Sequence, residues 1–166
     1  MPNLLIQLTR RADGGALLRC VRADGSATWQ RQEGRQAAFF PLHDLAHYAV
    51  ESELRLGSGF YGLIAKGWDI AETGGKGARG ALPGETVAVE HLVGVLDLER
   101  AGGVEWTAAD VNRETAAFAA RGGRPAPRQV TDEELARVRS RVRELFARWR
   151  ALAPGATLEL GFDRTR

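Results

Sequence analysis

Cysteine is nearly absent from the sequence, which contains one such residue, Cys20, in 166 positions. A single thiol excludes an internal disulfide framework and every zinc cluster that is built from cysteines. Histidine is scarce as well, with three residues in the chain. Any site that depends on imidazole must therefore draw on His43, His47 and His91.

Long apolar stretches are also missing. The longest apolar-rich segment, residues 87–98, includes Glu90, His91 and Asp97 and is shorter than the roughly 20 residues of a membrane-spanning helix. The first residues lack the charged region and the long apolar region of a secretory signal peptide. We therefore expect a cytoplasmic protein with no membrane partner, and the length fits one domain over residues 1–166.

Neither sign of charge is in large excess, because 23 Lys and Arg stand against 21 Asp and Glu, a net charge of +2. The arginine-rich segment 131–152 is the local exception. On a helical wheel its arginines form two stripes that border a continuous apolar arc, as expected of side chains whose alkyl stems cover the edge of a core. No nucleic-acid partner is predicted.

Alternation of apolar and polar residues predicts four β-strands. Residues 4–9 alternate with a period of two, and residues 16–22 and 26–30 follow after two Asp-Gly turns. Residues 157–162 alternate again, and we expect this strand beside the first one. The prediction is a small antiparallel sheet made of an N-terminal three-stranded meander and a C-terminal strand.

About five helices are predicted to cover one face of this sheet, which gives an α+β fold. Pro41 is well tolerated in the first turn of a helix, and the first helix is expected to run from there to about Leu56. Capping patterns at Thr107 and Thr131 predict the starts of two later helices. The other two helices are expected at residues 59–66 and 85–100.

A glycine-rich segment, residues 72–84, is predicted to be a loop. A phosphate-binding loop requires Ser or Thr after its Gly-Lys pair, but Gly77 follows Lys76 here. A solvated loop, or a lid over a site, is the better interpretation.

The sequence FFPLHDLAHYAVE, from Phe39 to Glu51, carries the densest group of chemically active side chains. His43 and His47 lie four residues apart, so on a helix they share one face and can bind a single ion. Glu51 is two turns beyond His43, which is too far to share that ion but suits a carboxylate that holds His47.

A third ligand must come from elsewhere in the chain. On a helical wheel His91 falls on the apolar arc of its helix, and an inward histidine needs a polar partner. Glu90 is the chemical alternative, but the wheel places it with Asp97 on the opposite side. The sequence therefore predicts a site in which His43, His47 and His91 bind a divalent metal, with zinc as the expected ion.

The string HDLAH, residues 43–47, resembles the His-Glu-x-x-His signature of zinc metalloproteases. The resemblance implies that His43 and His47 are zinc ligands and that Asp44 is the general base. The sequence has aspartate where the signature has glutamate, and its side chain is one methylene shorter. Metal binding is therefore implied without peptidase activity.

The longer block Phe-x-Pro-Leu-His-Asp-Leu-x-His-Tyr-x-Val-Glu, residues 39–51, is similar to a group of uncharacterised bacterial proteins of similar length. The resemblance implies a compact bacterial domain and says nothing about a reaction.

The leading functional hypothesis is a divalent-metal-binding protein that hydrolyses a small molecule, with Asp44 or Glu51 as the catalytic base. The alternative is a non-catalytic binding or assembly module in which the same helix builds an interface. A homo-oligomer is compatible with both. Convergence of the imidazoles on one point near solvent distinguishes the two hypotheses.

Overall fold

Four antiparallel strands form one sheet in the order β3-β2-β1-β4, in a computed structural model that describes residues 2–75, 77 and 79–164. The strands are β1 (Leu4–Arg10), β2 (Ala16–Arg22), β3 (Ala27–Gln32) and β4 (Thr157–Phe162). Leu8 of β1 pairs with Leu18 of β2 on one side and with Leu158 of β4 on the other. The predicted meander and the position of the C-terminal strand are confirmed.

One face of the sheet is buried, as the alternation predicts. Leu4, Ile6 and Leu8 of β1 are at most 1% exposed, whereas Gln7 between them is more accessible. The buried strand residues join a hydrophobic core with side chains of the helices. The fold is therefore α+β, with the helices on one side of the sheet.

Five α-helices and one short 3-10 helix make up the rest of the fold. They are α1 (Gln36–Glu53), α2 (Phe60–Ala65), the 3-10 helix Ile70–Gly74, α3 (Gly84–Gly102), α4 (Ala108–Arg121) and α5 (Asp132–Arg150). Thr107 and Thr131 accept hydrogen bonds from the backbone N–H groups of Asp110 and Glu134. The two predicted helix starts are confirmed.

The boundaries of α1 differ from the prediction. The helix begins at Gln36 and contains Pro41 in its interior, so the ring removes one backbone hydrogen bond and the residues before it still turn helically. The helix ends at Glu53 because Arg55 adopts a left-handed conformation with a φ of 55°. Residues 44–51 are all buried, since α1 packs against the sheet and against α2, α3 and α5.

The orientation of α3 also differs from the prediction. Thr86, Val89 and Val93 are buried, and Leu98, which the wheel placed on the inward arc, is 62% exposed. The wheel gives only relative angles around the axis, and the neighbours decide which face turns inward. This rotation brings Glu90 and Asp97 toward α1.

The predicted loop of residues 72–84 contains the end of the 3-10 helix and the approach to α3. Its residues Lys76 and Ala78 lie outside the described residues, so a role as a lid stays a prediction. None of the helices in the described ranges combines the length and apolarity that crossing a membrane requires.

A close approach at Gly62 gives a prediction about stability. A Cβ built at Gly62 would lie 2.4 Å from the Gly57 carbonyl oxygen. We expect Gly62→Ala to destabilise the protein by about 1–3 kcal/mol, because a backbone atom must shift. Gly94→Ala is the control, since apart from its chain neighbours and the backbone of its own helix no atom lies within 4 Å of its Cβ position, and alanine favours a helix by up to about 1 kcal/mol.

Urea denaturation of the two variants measures both effects. Equal stability of Gly62→Ala and the wild-type chain would show that the contact between Gly62 and Gly57 is not tight.

Candidate metal centre

His43 and His47 lie one turn apart on α1, as their spacing predicts. Their ring centroids are 4.8 Å apart and their planes are nearly perpendicular. The His47 side chain is 3% exposed and that of His43 is 14% exposed. The pair is therefore at the edge of the core, with His43 nearer to solvent.

Glu90 of α3 faces both imidazoles. One carboxylate oxygen lies 2.9 Å from His47 Nε2 and the other 3.3 Å from His43 Nε2. The three side chains offer ligand atoms that all lie within 4.8 Å of one another. In a tetrahedral zinc site, bonds of about 2.0–2.1 Å separate neighbouring ligand atoms by about 3.3 Å. These three residues could therefore hold a metal ion.

The other nitrogen of each imidazole is held by its own carboxylate. His43 Nδ1 lies 2.8 Å from Asp97 of α3, and His47 Nδ1 lies 3.3 Å from Glu51 of α1. A histidine that donates its Nδ1–H to a carboxylate presents the lone pair of Nε2, which is the usual arrangement of metal-binding histidines. The expected contact between Glu51 and His47 is present.

The N-terminus of α2 holds Glu51 in place. The second oxygen of Glu51 accepts a hydrogen bond of 3.0 Å from the Gly62 N–H. A Cβ on Gly59 would lie 2.3 Å from the Glu51 carboxyl carbon, so only glycine leaves room for the carboxylate there. The glycines of this segment therefore help to orient His47.

Two aromatic rings pack against the imidazoles. Phe39 stacks on His43 with centroids 5.1 Å apart, and Phe60 lies 5.4 Å from His47. The Glu90 side chain is 58% exposed. The group is consequently walled by apolar rings and open to solvent at Glu90.

The carboxylates strongly favour protonated imidazoles. Burial alone would lower the pKa of each ring, but hydrogen bonds to Asp97 and Glu90 raise the pKa of His43 to about 9. Hydrogen bonds to Glu51 and Glu90 likewise overcome burial and raise the pKa of His47 to about 10. The same contacts with His43 and His47 hold the pKa of Glu90 well below its usual range.

Charge balance is compatible with a divalent ion. The positive charges of the two protonated imidazoles and of the Arg100 guanidinium, which bonds Asp97, offset the negative charges of Glu51, Glu90 and Asp97. Replacing the two imidazole protons by one divalent cation leaves this sum unchanged. The site therefore accommodates a metal without an additional carboxylate.

Asp44 lies outside the group of ligand atoms formed by His43, His47 and Glu90. Its side chain is buried and accepts a hydrogen bond of 2.6 Å from Gln32 of β3. Burial raises the pKa of Asp44 to about 6, although the bond from Gln32 and the nearby imidazoles oppose this. The carboxylate is not one of the groups that share the point between His43, His47 and Glu90.

His91 does not join the other two histidines, and the predicted three-histidine site is corrected. Its ring stacks in parallel on Phe118 of α4, with centroids 4.1 Å apart. Consecutive residues on a helix point about 100° apart, so once Glu90 faces α1, His91 must face α4. The prediction that Glu90 points away from the site is wrong for the same reason.

Two site residues that sequence reasoning did not assign are Glu90 as a third ligand and Asp97 as the partner of His43. Their seven-residue spacing places them two turns apart on one helical stripe. On this stripe Glu90 and Asp97 contact the two histidines of α1. The helical wheel showed that the two carboxylates share a face, but it did not show which element that face contacts.

No protein-family model, no curated protein and no solved structure matches the chain, so the geometry of these side chains carries the functional argument.

Proposed function

We propose that this protein binds one divalent metal ion through His43 Nε2, His47 Nε2 and the carboxylate of Glu90, with zinc as the expected ion. The observation that carries the proposal is the pairing of each Nδ1 with its own carboxylate while both Nε2 atoms face a third. Two nitrogens and one carboxylate are a common ligand set for zinc, and also for non-haem iron.

We further propose that the metal serves hydrolysis of a small molecule. Three protein ligands leave a coordination position free, which distinguishes catalytic zinc sites from closed structural ones. The exposure of Glu90 supports access from solvent. A bound divalent ion supplies a Lewis acid and lowers the pKa of water.

The residues around the ligands have separate roles in this proposal. Glu51 and Asp97 fix the two rings and keep both Nε2 lone pairs directed at the ion. Asp44, with its pKa of about 6, has the acidity that suits proton transfer near neutral pH. Because Oδ2 of Asp44 accepts the hydrogen bond from Gln32, the other carboxylate oxygen, Oδ1, is the one that takes the proton in this proposal.

The test of metal binding compares the wild-type chain with a His43→Ala, His47→Ala double variant, both purified without a nickel column. We expect about one zinc per wild-type chain after equilibration with zinc and gel filtration, measured by elemental analysis, and none in the double variant. Equal metal content in the two proteins would refute the ligand assignment and favour the non-catalytic assembly module.

The test of catalysis uses the zinc-loaded protein with small ester, amide and phosphoester substrates. We expect turnover of one class that disappears with a chelator and returns with zinc. Stoichiometric zinc without turnover of any class would leave a metal-binding protein and refute the hydrolase.

Asp97 gives a prediction about the orientation of His43. We expect Asp97→Asn to weaken zinc binding by about tenfold to a hundredfold, because the amide no longer accepts the Nδ1–H as a charged partner. Competition with a fluorescent zinc chelator measures the affinity. Asp24→Asn, in the turn before β3, is the matched control and is expected to bind zinc like the wild-type chain.

A further inference from the structure

A second site lies on the opposite side of α3 from the metal centre. It is a partly open cavity of about 340 Å³ between α3 and α4, and residues of the linker 122–131 form part of its lining. Its walls are mostly apolar and include Leu92, Val111, Phe118 and Val130. A volume of this size suits a ligand of about ten non-hydrogen atoms, given about 30 Å³ for each water-sized unit.

Three side chains form a stack along one wall. The His91 ring lies parallel to the Phe118 ring at 4.1 Å, and the Arg124 guanidinium lies over Phe118 at 5.7 Å from its centroid. A Cβ on Gly122 would lie 2.5 Å from an Arg124 nitrogen, so the glycine leaves space for the guanidinium. Arg124 is half-buried and lines the cavity.

The cation in this stack lacks an acidic partner. No ion pair or side-chain hydrogen bond joins Arg124 to another residue in the described part of the chain, although Arg128 in the same lining is paired with Glu134. Glu85 also lines the cavity and forms no ion pair with Arg124. His91 Nδ1 is buried without a hydrogen-bond partner among the described residues.

We propose that this cavity binds a small carboxylic acid with an apolar body of about eight carbons or an aromatic ring. The apolar walls take the body of the ligand, and the Arg124 guanidinium takes the carboxylate as a two-pronged partner. A neutral or cationic ligand of the same shape leaves Arg124 without its partner. The proposal does not depend on metal binding, because the lining contains none of His43, His47 and Glu90.

The test compares octanoate, octanol and octylamine by titration calorimetry and by chemical shifts of backbone amides. We expect octanoate to bind the wild-type chain about tenfold or more tightly than octanol, since hydrogen bonds between charged groups are the stronger ones. Octylamine is expected to bind most weakly. The amide shifts are expected in α3, α4 and the 122–131 linker.

Two substitutions at the cavity and one control separate charge recognition from apolar binding. Arg124→Gln is expected to remove the preference for octanoate and to leave octanol binding unchanged. Glu85→Gln is expected to strengthen octanoate binding, because it removes a negative charge from the lining. Arg143→Gln, at an exposed arginine on α5 that is not part of the lining, is expected to behave like the wild-type chain.

Failure of this proposal can be told apart from failure of the metal proposal. The His43→Ala, His47→Ala variant is expected to bind octanoate with wild-type affinity. Equal binding of octanoate and octanol, or the absence of octanoate binding to a folded wild-type chain, would overturn the carboxylate site.

Discussion

Replacing Glu90 with glutamine is expected to weaken zinc binding by at least about a hundredfold, whereas replacing its neighbour His91 with alanine leaves the affinity unchanged. Among the residues that the structure describes, the Glu90 carboxylate is the one negatively charged group that faces both Nε2 atoms. Loss of a carboxylate that merely orients a ligand already costs about tenfold to a hundredfold, and loss of a ligand costs at least as much.

The pair of variants is informative because the two residues are adjacent on α3. Both substitutions preserve the helix, and both remove a group that titrates. The two side chains point in different directions, toward α1 for Glu90 and toward Phe118 for His91. Competition with a fluorescent chelator measures zinc affinity, and thermal unfolding of each metal-free variant checks that it is folded.

The opposite order of zinc affinities in the two variants would change which residue is assigned as the third ligand. If His91→Ala lost zinc and Glu90→Gln kept it, the three-histidine site predicted from the sequence would be right and the observed rotation of α3 wrong. Loss of zinc in both variants of comparable stability would indicate that α3 responds as a unit and that neither residue can be assigned as the ligand.

The second large effect is a dependence on pH: as the pH rises, the stability of the metal-free protein is expected to fall and its affinity for zinc is expected to rise. In an unfolded chain a histidine has a pKa of about 6.5, and in the folded chain the pKa rises to about 9 for His43 and about 10 for His47. Their contribution to stability is therefore complete below pH 6.5. It decreases as pH rises through 9 to 10.

Zinc affinity changes in the other direction. A metal binds only the neutral imidazole, so at pH 7 each zinc ion must displace protons from both rings. Raising the pH from 6.5 to 9 weakens this competition, because it lowers the proton concentration toward the range in which the two rings titrate, and we expect the apparent affinity to rise by more than about tenfold. The free energy of unfolding of the metal-free protein falls over the same interval.

Urea denaturation between pH 6.5 and 10, with a chelator present, measures the first effect. The His43→Ala, His47→Ala variant serves as the reference, because the difference between the two proteins cancels the titration of all other groups. We expect this difference to shrink as pH rises. A difference that is constant with pH would mean that the imidazoles are not held in the protonated state by Glu51, Glu90 and Asp97.

Much of the fold follows from patterns within single segments. The alternation in residues 157–162 predicts a strand whether or not its neighbours are known, and the Thr131 capping box confirms the start of α5. The end of α1 was harder to predict, because Arg55 adopts a left-handed conformation that the sequence does not signal. The interior position of Pro41 was not predicted either, because proline is favoured in the first turn of a helix and disfavoured in its interior.

The candidate site also has a part that the sequence predicts and a part that depends on tertiary packing. The four-residue spacing of His43 and His47, and that of His47 and Glu51, are properties of one helix, so the sequence alone determines that these side chains share a face. Which carboxylates meet them depends on how α3 is rotated about its axis. A wheel drawn from the sequence has no external reference, and it grouped Glu90 with Asp97 without showing where they point.

Local order along the chain thus determined the elements, the sheet and one half of the metal centre. The tertiary structure alone decided that Glu90 rather than His91 faces α1, because helix packing selects a face through contacts far apart in sequence. The same rotation of α3 places His91 against Phe118, and both rings line the second cavity on the other side of the helix. Both candidate sites depend on that one angle, which no periodicity within α3 determines.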